Sequence, residues 1–191
     1  MNLPFISDQT FTQKDYTSTR LQKAEYDNCT FVNCNFEQGD ISNASFLECE
    51  FIDCNMSNAN VTHCTFNAVT FNDCKMLGVD VSRCNTMLMD FSCDNCVLDY
   101  ANFSGLNLKG FVFSNCQMKH SDFTDAILQY VKFQDCILSN AIFEHTDLQH
   151  SDFTSAKDFL INPAKNSMKG AKFSKHTLDG LLRHFQLDIK P

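Results

Sequence analysis

Apolar residues recur at every fifth position over most of this chain. From Phe11 to Phe91 these positions carry Phe, Tyr, Leu, Ile, Met or Val, with Thr86 as the one exception. After a two-residue slip, the same spacing runs from Leu98 to Phe153 without a break. A helix repeats every 3.6 residues and a strand every 2 residues, so neither produces this spacing. A sustained period of this kind predicts a repeat architecture in a single domain.

A second inward position lies two residues before each large apolar residue and is mostly small: Cys, Ala, Val, Gly or Ser. The remaining three positions are largely Asn, Asp, Ser, Thr, Gln and Lys, which suit a solvated surface. Segments such as 34–38 (CNFEQ), 101–105 (ANFSG) and 121–125 (SDFTD) resemble the pentapeptide-repeat family, and the resemblance covers roughly residues 9–175. It implies an all-β solenoid, a right-handed quadrilateral parallel β-helix with four pentapeptides per coil.

Residues 20 apart should then share one face, with 22 apart across the slip. The small inward positions pass this test, because one face becomes a run of six cysteines and the next a run of mostly tiny residues. The two extra residues are therefore expected to form a local bulge near 92–95 that leaves later coils in place. The large inward positions of one face likewise form a run of phenylalanines. The three sets of residues expected to stack are Cys34, Cys54, Cys74, Cys96, Cys116, Cys136; Gly39, Ala59, Val79, Ala101, Ser121, Ala141; and Phe11, Phe31, Phe51, Phe71, Phe91, Phe113, Phe133, Phe153.

The C-terminal part departs from the five-residue spacing. A loop is expected to leave the coil near 157–167, which would divide the chain into a β-helix at 1–175 and a cap at 174–191. Ser174 is a candidate helix N-cap, and the apolar residues after it follow helical spacing and then alternate as a short strand. We expect this segment to plug the last coil and to pair two copies end to end. Its apolar residues are Leu178, Leu181, Leu182, Phe185, Leu187 and Ile189.

Eleven cysteines raise the question of thiol chemistry. Ten of them fall in the small inward position, where a thiol packs as a compact apolar group. Stacked parallel rungs give poor disulfide geometry, and reduced thiols favour the cytoplasm. Cys93 alone is off the pattern and is expected to be exposed; with Cys96 it forms a lone C-x-x-C pair. This leaves a minor alternative, a redox or metal protein, while no catalytic set, cofactor site, metal site or membrane span is indicated.

Charge is the clearest indication of a partner. Residues 1–150 hold 19 acidic against 8 basic residues and 151–191 hold 4 against 7, so net charges of −11 and +3 sum to −8. An acidic surface disfavours direct binding of nucleic acid but suits a protein with a basic groove. Asp is also a common turn residue, so some acids have a local role. The candidate partner-binding residues on one face are Glu50, Asp53, Asp73, Asp90, Asp94 and Asp135, and a second stripe holds Asp40, Asp80, Asp122, Asp125 and Glu144.

The two ends carry a closer resemblance. Residues 11–21 look like the opening of Qnr-type quinolone-resistance proteins, and 158–166 with 180–189 are similar to the end of microcin-immunity and Qnr-like members. The resemblance implies a cytoplasmic, dimeric, non-enzymatic rod that mimics duplex DNA, binds DNA gyrase or topoisomerase IV, and protects it from quinolones or peptide toxins. One departure is that the interruption here is two residues, whereas Qnr proteins carry longer loops. The alternative is a structural or adaptor scaffold with no topoisomerase role.

Overall fold

The chain winds into a right-handed, four-sided parallel β-helix of about eight turns. The computed structural model describes residues 3–188. Parallel pairing joins segments 20 residues apart, as in Phe31 with Phe51 and Tyr26 with Phe46. The strands are β1 Phe5–Ser7, β2 Thr10–Thr12, β3 Glu25–Asp27, β4 Thr30–Val32, β5 Ser45–Leu47, β6 Glu50–Ile52, β7 Thr65–Asn67, β8 Val69–Asn72, β9 Phe91–Asp94, β10 Val112–Ser114, β11 Lys132–Gln134, β12 Asp152–Phe153 and β13 Lys172–Phe173.

One side of the rod is a continuous nine-stranded sheet and the adjoining side begins as a four-stranded one. The nine-stranded sheet has the order β13-β12-β11-β10-β9-β8-β6-β4-β2 and the other β1-β3-β5-β7. The two remaining sides are held by single parallel bridges, for example Asn35 with Asn55 and Asp122 with Ile142. We call the residues at one position in successive turns a column.

The corners explain the polar part of the five-residue unit. At nearly every corner the residue two places after the large inward side chain has a positive φ, as in Asn33 (φ 52°) and Asn58 (φ 53°). Asn, Asp and His tolerate this left-handed conformation better than other side chains. Asn, Asp and His therefore occupy most of these corner positions.

The interior is built from stacked rings and thiols. Phe31 and Phe51 are fully buried and stack with centroids 4.8 Å apart, and Phe113 and Phe133 repeat this at 5.6 Å. The expected cysteine column is also buried, and the Cys54 thiol donates to the carbonyl of Phe31 at 3.3 Å. Each turn thus buries its apolar surface only against its neighbours, as in other solenoids.

The expected position of the bulge, 92–95, is wrong. Thr65 and Asn85 are 20 residues apart and their side chains are still in contact, with Asn85 Nδ2 donating to Thr65 Oγ1 at 3.2 Å. By β9 the offset is already 22, because Phe91 pairs with Val69 and Cys93 with Phe71. The two extra residues therefore lie between 86 and 90, and β9 itself is regular.

This shift also overturns two expectations about side chains. Cys93, expected to be exposed, is buried with 2% of its surface accessible, because it takes the large inward position between Phe71 and Phe113. Phe91 is not a rung of the Phe column but fills the neighbouring small position. Its ring meets Phe71 edge-on at 6.1 Å and Phe111 at 5.0 Å. The ring of Phe91 thus occupies volume that the small Cys93 leaves.

The C-terminal cap consists of short helical turns: 3-10 turns at Lys175–Thr177 and Arg183–Phe185 and an α-helix, α1, at Asp179–Leu182. Ser174 caps the first turn, as expected, by accepting a hydrogen bond from the backbone N–H of His176 at 3.2 Å. Gly180 packs on the buried Phe159, whose ring carbons lie 2.8 Å from where a Cβ would be. Close contact between this turn and the loop below therefore seals the last coil.

The expected terminal strand is not seen at Leu187, and Ile189 lies outside the described residues. Between bridges at Lys157 and Ser167 the chain makes turns, but Phe159 and Ile161 point into the core. Within residues 3–188 no helix is long and apolar enough to cross a membrane.

Candidate partner-binding surface

Four of the six candidate acids lie along the corner of the rod at which the strands of the nine-stranded sheet end. Asp53, Asp73 and Asp135 share a corner column, and Asp94 ends β9 beside it. We call these four residues the acidic edge. All four are exposed. With a strand spacing of about 4.8 Å, the four spacings between Asp53 and Asp135 add up to roughly 19 Å.

The other two candidates lie apart from this edge. Glu50 is the first residue of β6, so it points outward from the opposite ends of the strands of the same sheet. Asp90 precedes β9, beside the two inserted residues and at the opposite border of the sheet. The structure therefore brings Asp53, Asp73, Asp94 and Asp135 into one line but does not bring Asp90 to it.

Local geometry accounts for part of the acidic edge. Asp53, Asp73 and Asp135 have φ values of 53°, 57° and 51°, so they are the corner residues of their turns. Asn95 Nδ2 donates to Asp73 Oδ1, and Asn115 Nδ2 donates to Asp94 Oδ1 at 2.9 Å. Such amide–carboxylate contacts stabilise neighbouring turns without neutralising the charge.

Basic side chains line depressions next to the acidic edge. Lys75 lines a surface cavity of about 380 Å³ together with Asp53 and Asp73. Lys132 and Asp135 line another depression farther along. The edge therefore presents separated carboxylates along a line rather than a uniform negative surface.

The second acidic stripe consists in part of turn formers. Asp40 Oδ1 accepts from the backbone N–H of Ser42 at 3.0 Å, and Asp122 Oδ1 accepts from Thr124 at 2.8 Å. The hydrogen bonds from Ser42, together with the Arg20 guanidinium 3.3 Å away, lower the pKa of the Asp40 carboxyl. Asp40 and Asp122 therefore have the local turn-forming role that was expected for some of the acids.

The interruption exposes apolar side chains that sequence reasoning did not single out. Met87 is 73% and Leu88 71% accessible, and Leu88 has a φ of 61°. A break at Thr86 in an otherwise unbroken apolar spacing was the available signal. The loop lies where β7 would otherwise have a partner, so the four-stranded sheet ends there.

The cysteines are interior groups. All eleven are buried, and burial raises the pKa of Cys49 to about 11 and that of Cys64 to about 12. Hydrogen bonding to Cys96 together with burial raises the pKa of the Cys93 thiol. Across residues 3–188 no three or more His, Cys, Asp or Glu side chains are arranged to hold a metal ion.

The C-terminal cap leaves an apolar surface at the end of the rod. Leu178, Phe185 and Leu187 are 40%, 54% and 57% accessible, whereas Leu181 and Leu182 are half-buried. Leu181 packs against the core, so it belongs to the plug. The exposed members form the part of the cap that is free to meet another surface.

Comparison with known proteins places the fold. The family model described as "Pentapeptide repeat region" matches residues 24–103, 44–122 and 86–157. Full-length QnrB1, a plasmid-mediated fluoroquinolone resistance protein, is similar over 96% of this chain and 100% of its own, with 16% identity and a TM-score of 0.63. A trypsin-treated QnrB1 variant is similar over 98% of this chain and 98% of its own, with 18% identity and a TM-score of 0.51. Among curated protein sequences none matches.

Proposed function

This chain belongs to the pentapeptide-repeat family, and on that premise we propose that it is a non-enzymatic, cytoplasmic acidic rod that binds a type II topoisomerase, DNA gyrase or topoisomerase IV. In this role it mimics DNA and protects the enzyme from inhibitors such as quinolones or peptide toxins. The fold shared with QnrB1, itself a fluoroquinolone resistance protein, supports the choice of partner.

The acidic edge is the observation that carries the proposal. Its carboxylates repeat along the nine-stranded sheet, and residues 1–150 have a net charge of −11. A groove that binds DNA is basic, so long-range attraction would steer the rod into it. Asp94 is the sharpest indicator, because it lies within a strand and no corner geometry requires an acid there.

The test is a gyrase supercoiling assay with and without a quinolone, in the presence of the purified rod. We expect inhibition or drug protection at micromolar or lower concentration. Replacing Asp53, Asp73, Asp94 and Asp135 by Asn removes four charges, and Asn already occupies corners 33, 95 and 115 of that column. The variant should keep its circular dichroism and lose the effect.

A matched control removes the same charge from other sides of the rod. Asp8, Asp99, Asp125 and Asp147 are replaced by Asn, which gives the same net charge on different columns. If both quadruple variants lose activity equally, only total charge matters, and the proposed binding edge is wrong. If the wild-type rod neither binds nor affects the enzyme, the topoisomerase proposal fails.

The rival function is a structural or adaptor scaffold. It is favoured by the corner positions of Asp53, Asp73 and Asp135, which explain these acids through φ alone. Under this alternative the wild-type rod and both Asn variants are equally inert in the gyrase assay, and all three remain folded.

We further propose that two rods pair through the exposed cap residues, as the charge and apolar surface at this end allow. Size-exclusion chromatography with light scattering should give twice the 21.7 kDa chain mass. Replacing Phe185 and Leu187 by Ser should give the monomer mass, while the same change at Leu77, which is exposed on the rod side, should not.

A further inference from the structure

Two corner columns of the rod repeat the order glycine, tyrosine, histidine. In one of them Tyr130 stacks on His150 with ring centroids 4.9 Å apart and an interplanar angle of 11°. On its other side His150 packs over Gly170, one turn later, where a Cβ would lie 2.5 Å from His150 Nδ1. The stack fixes the orientation of the tyrosine ring although half of its surface is accessible.

The opposite face of the Tyr130 ring looks onto a gap. The residue one turn earlier is Gly110, and a Cβ built there would meet nothing within 4 Å. Phe91 and Phe111 pack together with centroids 5.0 Å apart, so the residues before them, Asp90 and Gly110, occupy successive positions on this corner. The gap thus has an aromatic ring on one side and an exposed carboxylate on the other, about two strand spacings, or 9–10 Å, apart.

A cation already approaches the open ring face. Lys109, in the turn before Tyr130, places its Nζ 5.6 Å from the ring centroid. A surface cavity of about 390 Å³ begins here and is lined by Asp90, Lys109 and Gly110 among others. Within the described residues the Asp90 carboxylate makes no side-chain hydrogen bond or ion pair. The gap therefore offers attraction to positive charge that the chain uses only in part.

We propose that the gap at Gly110 binds an arginine side chain of a partner protein, with the guanidinium stacked on Tyr130 and paired with Asp90. A guanidinium is planar, stacks on aromatic rings and can donate two hydrogen bonds to one carboxylate at once. A lysine ammonium is a compact point charge that has no plane to lay against the ring and no paired donors for the carboxylate. This site does not depend on the partner being a topoisomerase.

The other column supplies the internal comparison. Tyr100 stacks on His120 at 4.8 Å in the same way. There the glycine one turn earlier, Gly78, is covered, because Asn58 Oδ1 lies 2.5 Å from its Cβ position. Both columns have an exposed tyrosine ring that stacks on a histidine. They differ in the gap beside the tyrosine, which is open at Gly110 and filled at Gly78.

The experiment is a ¹H–¹⁵N NMR titration of the full chain with acetyl-glycyl-arginyl-glycinamide at millimolar concentration, and with the lysyl peptide as comparison. Saturable shifts are expected at the amides of Gly110 and Phe111, with the lysyl peptide binding at least threefold more weakly. Tyr130→Ala and Asp90→Asn should each weaken binding about three- to tenfold. Lys109→Ala removes the competing cation and should tighten it two- to fivefold.

Two further variants separate the site from general charge attraction. Gly110→Asn fills the gap with a side chain that tolerates the local φ of 81° and should abolish the shift of the Phe111 amide. Tyr100→Ala, with the covered gap, should bind as wild type. Equal binding of both peptides, unchanged binding by Tyr130→Ala, or an equal loss in Tyr100→Ala would overturn the proposal. So would tighter binding of adenosine monophosphate, since it would assign the ring and Lys109 to a nucleotide.

Discussion

Moving the aromatic ring from position 91 to position 93 provides a direct test of how the interruption is packed. Cys93 stands in the Phe column between Phe71 and Phe113, and the ring of Phe91 fills the space beside it. Cys93→Phe should therefore overpack the core and lower the free energy of unfolding by about 1–3 kcal/mol. Phe91→Val, which matches Val69 one turn earlier, should leave a cavity and cost about 2–3 kcal/mol.

The double variant should be close to wild type. It restores a small side chain at 91 and a ring at 93, and that ring can stack on both neighbours as Phe31 and Phe51 do at 4.8 Å. We expect a loss of no more than about 1 kcal/mol, against a sum of about 3–6 kcal/mol for the single changes. The measurement is urea unfolding followed by far-ultraviolet circular dichroism, where about 2 kcal/mol of coupling moves the midpoint by roughly 1 M.

A distant pair supplies the control. Cys54→Phe also inserts a ring into the core, but it lies too far from Phe91 to be relieved by Phe91→Val, so those two changes should add. Additive losses in the Cys93→Phe, Phe91→Val pair as well would refute the packing argument, and with it the placement of the insertion before Phe91.

Three other expectations follow from the described contacts. Leu88→Gly should raise the free energy of unfolding by up to about 1 kcal/mol, measured as a higher urea midpoint, because Leu88 is exposed and holds a left-handed φ of 61°; a lower midpoint would show that the Leu88 side chain makes stabilising contacts. A thiol reagent should label none of the eleven cysteines in the native rod and all of them in urea, since all are buried and burial raises the pKa of Cys49, for example, to about 11. Rapid labelling of even one cysteine in the native protein would contradict this. Because the pKa of Asp40 is lowered in the folded protein, the ionised carboxylate stabilises the fold at pH values above its ordinary pKa of 3.8. This contribution is lost as the pH falls through the folded pKa. Ser42→Ala removes the Ser42 hydroxyl, whose hydrogen bond is the main cause of the lowered pKa, and keeps the backbone N–H bond to Asp40. The urea midpoint should therefore fall less steeply below pH 4, and an unchanged pH profile would show that the hydroxyl is not what lowers the pKa.

The five-residue spacing was sufficient to predict the fold, because one large and one small inward side chain per unit define a four-sided coil. It could not locate the insertion. Phe91 and Cys93 are two residues apart and both point inward, so the apolar pattern is the same whichever of them takes the large position. Only the pairing with Val69 and Phe71 distinguishes the two.

The surface was less predictable. The outward direction of Asp73 and Asp94 follows from the spacing, but the sequence does not reveal that Asp73 is a corner residue with positive φ while Asp94 lies in a strand. The stacking of Tyr130 on His150 and the gap at Gly110 depend on residues 20 apart meeting at one corner. Each of these residues alone looks like ordinary solvated surface.

The hydrogen bonds between turns run along the rod, and this has a mechanical consequence. Each 20-residue turn adds about 4.8 Å to the folded length but reaches about 68 Å when pulled straight at ~3.4 Å per residue. Tension applied between the two ends loads the turns in series, so they should peel away one at a time, each releasing roughly 60 Å. The turn at 86–90 lacks a strand on one side and should yield early. The protein would then act under load as a stepwise extensible tether.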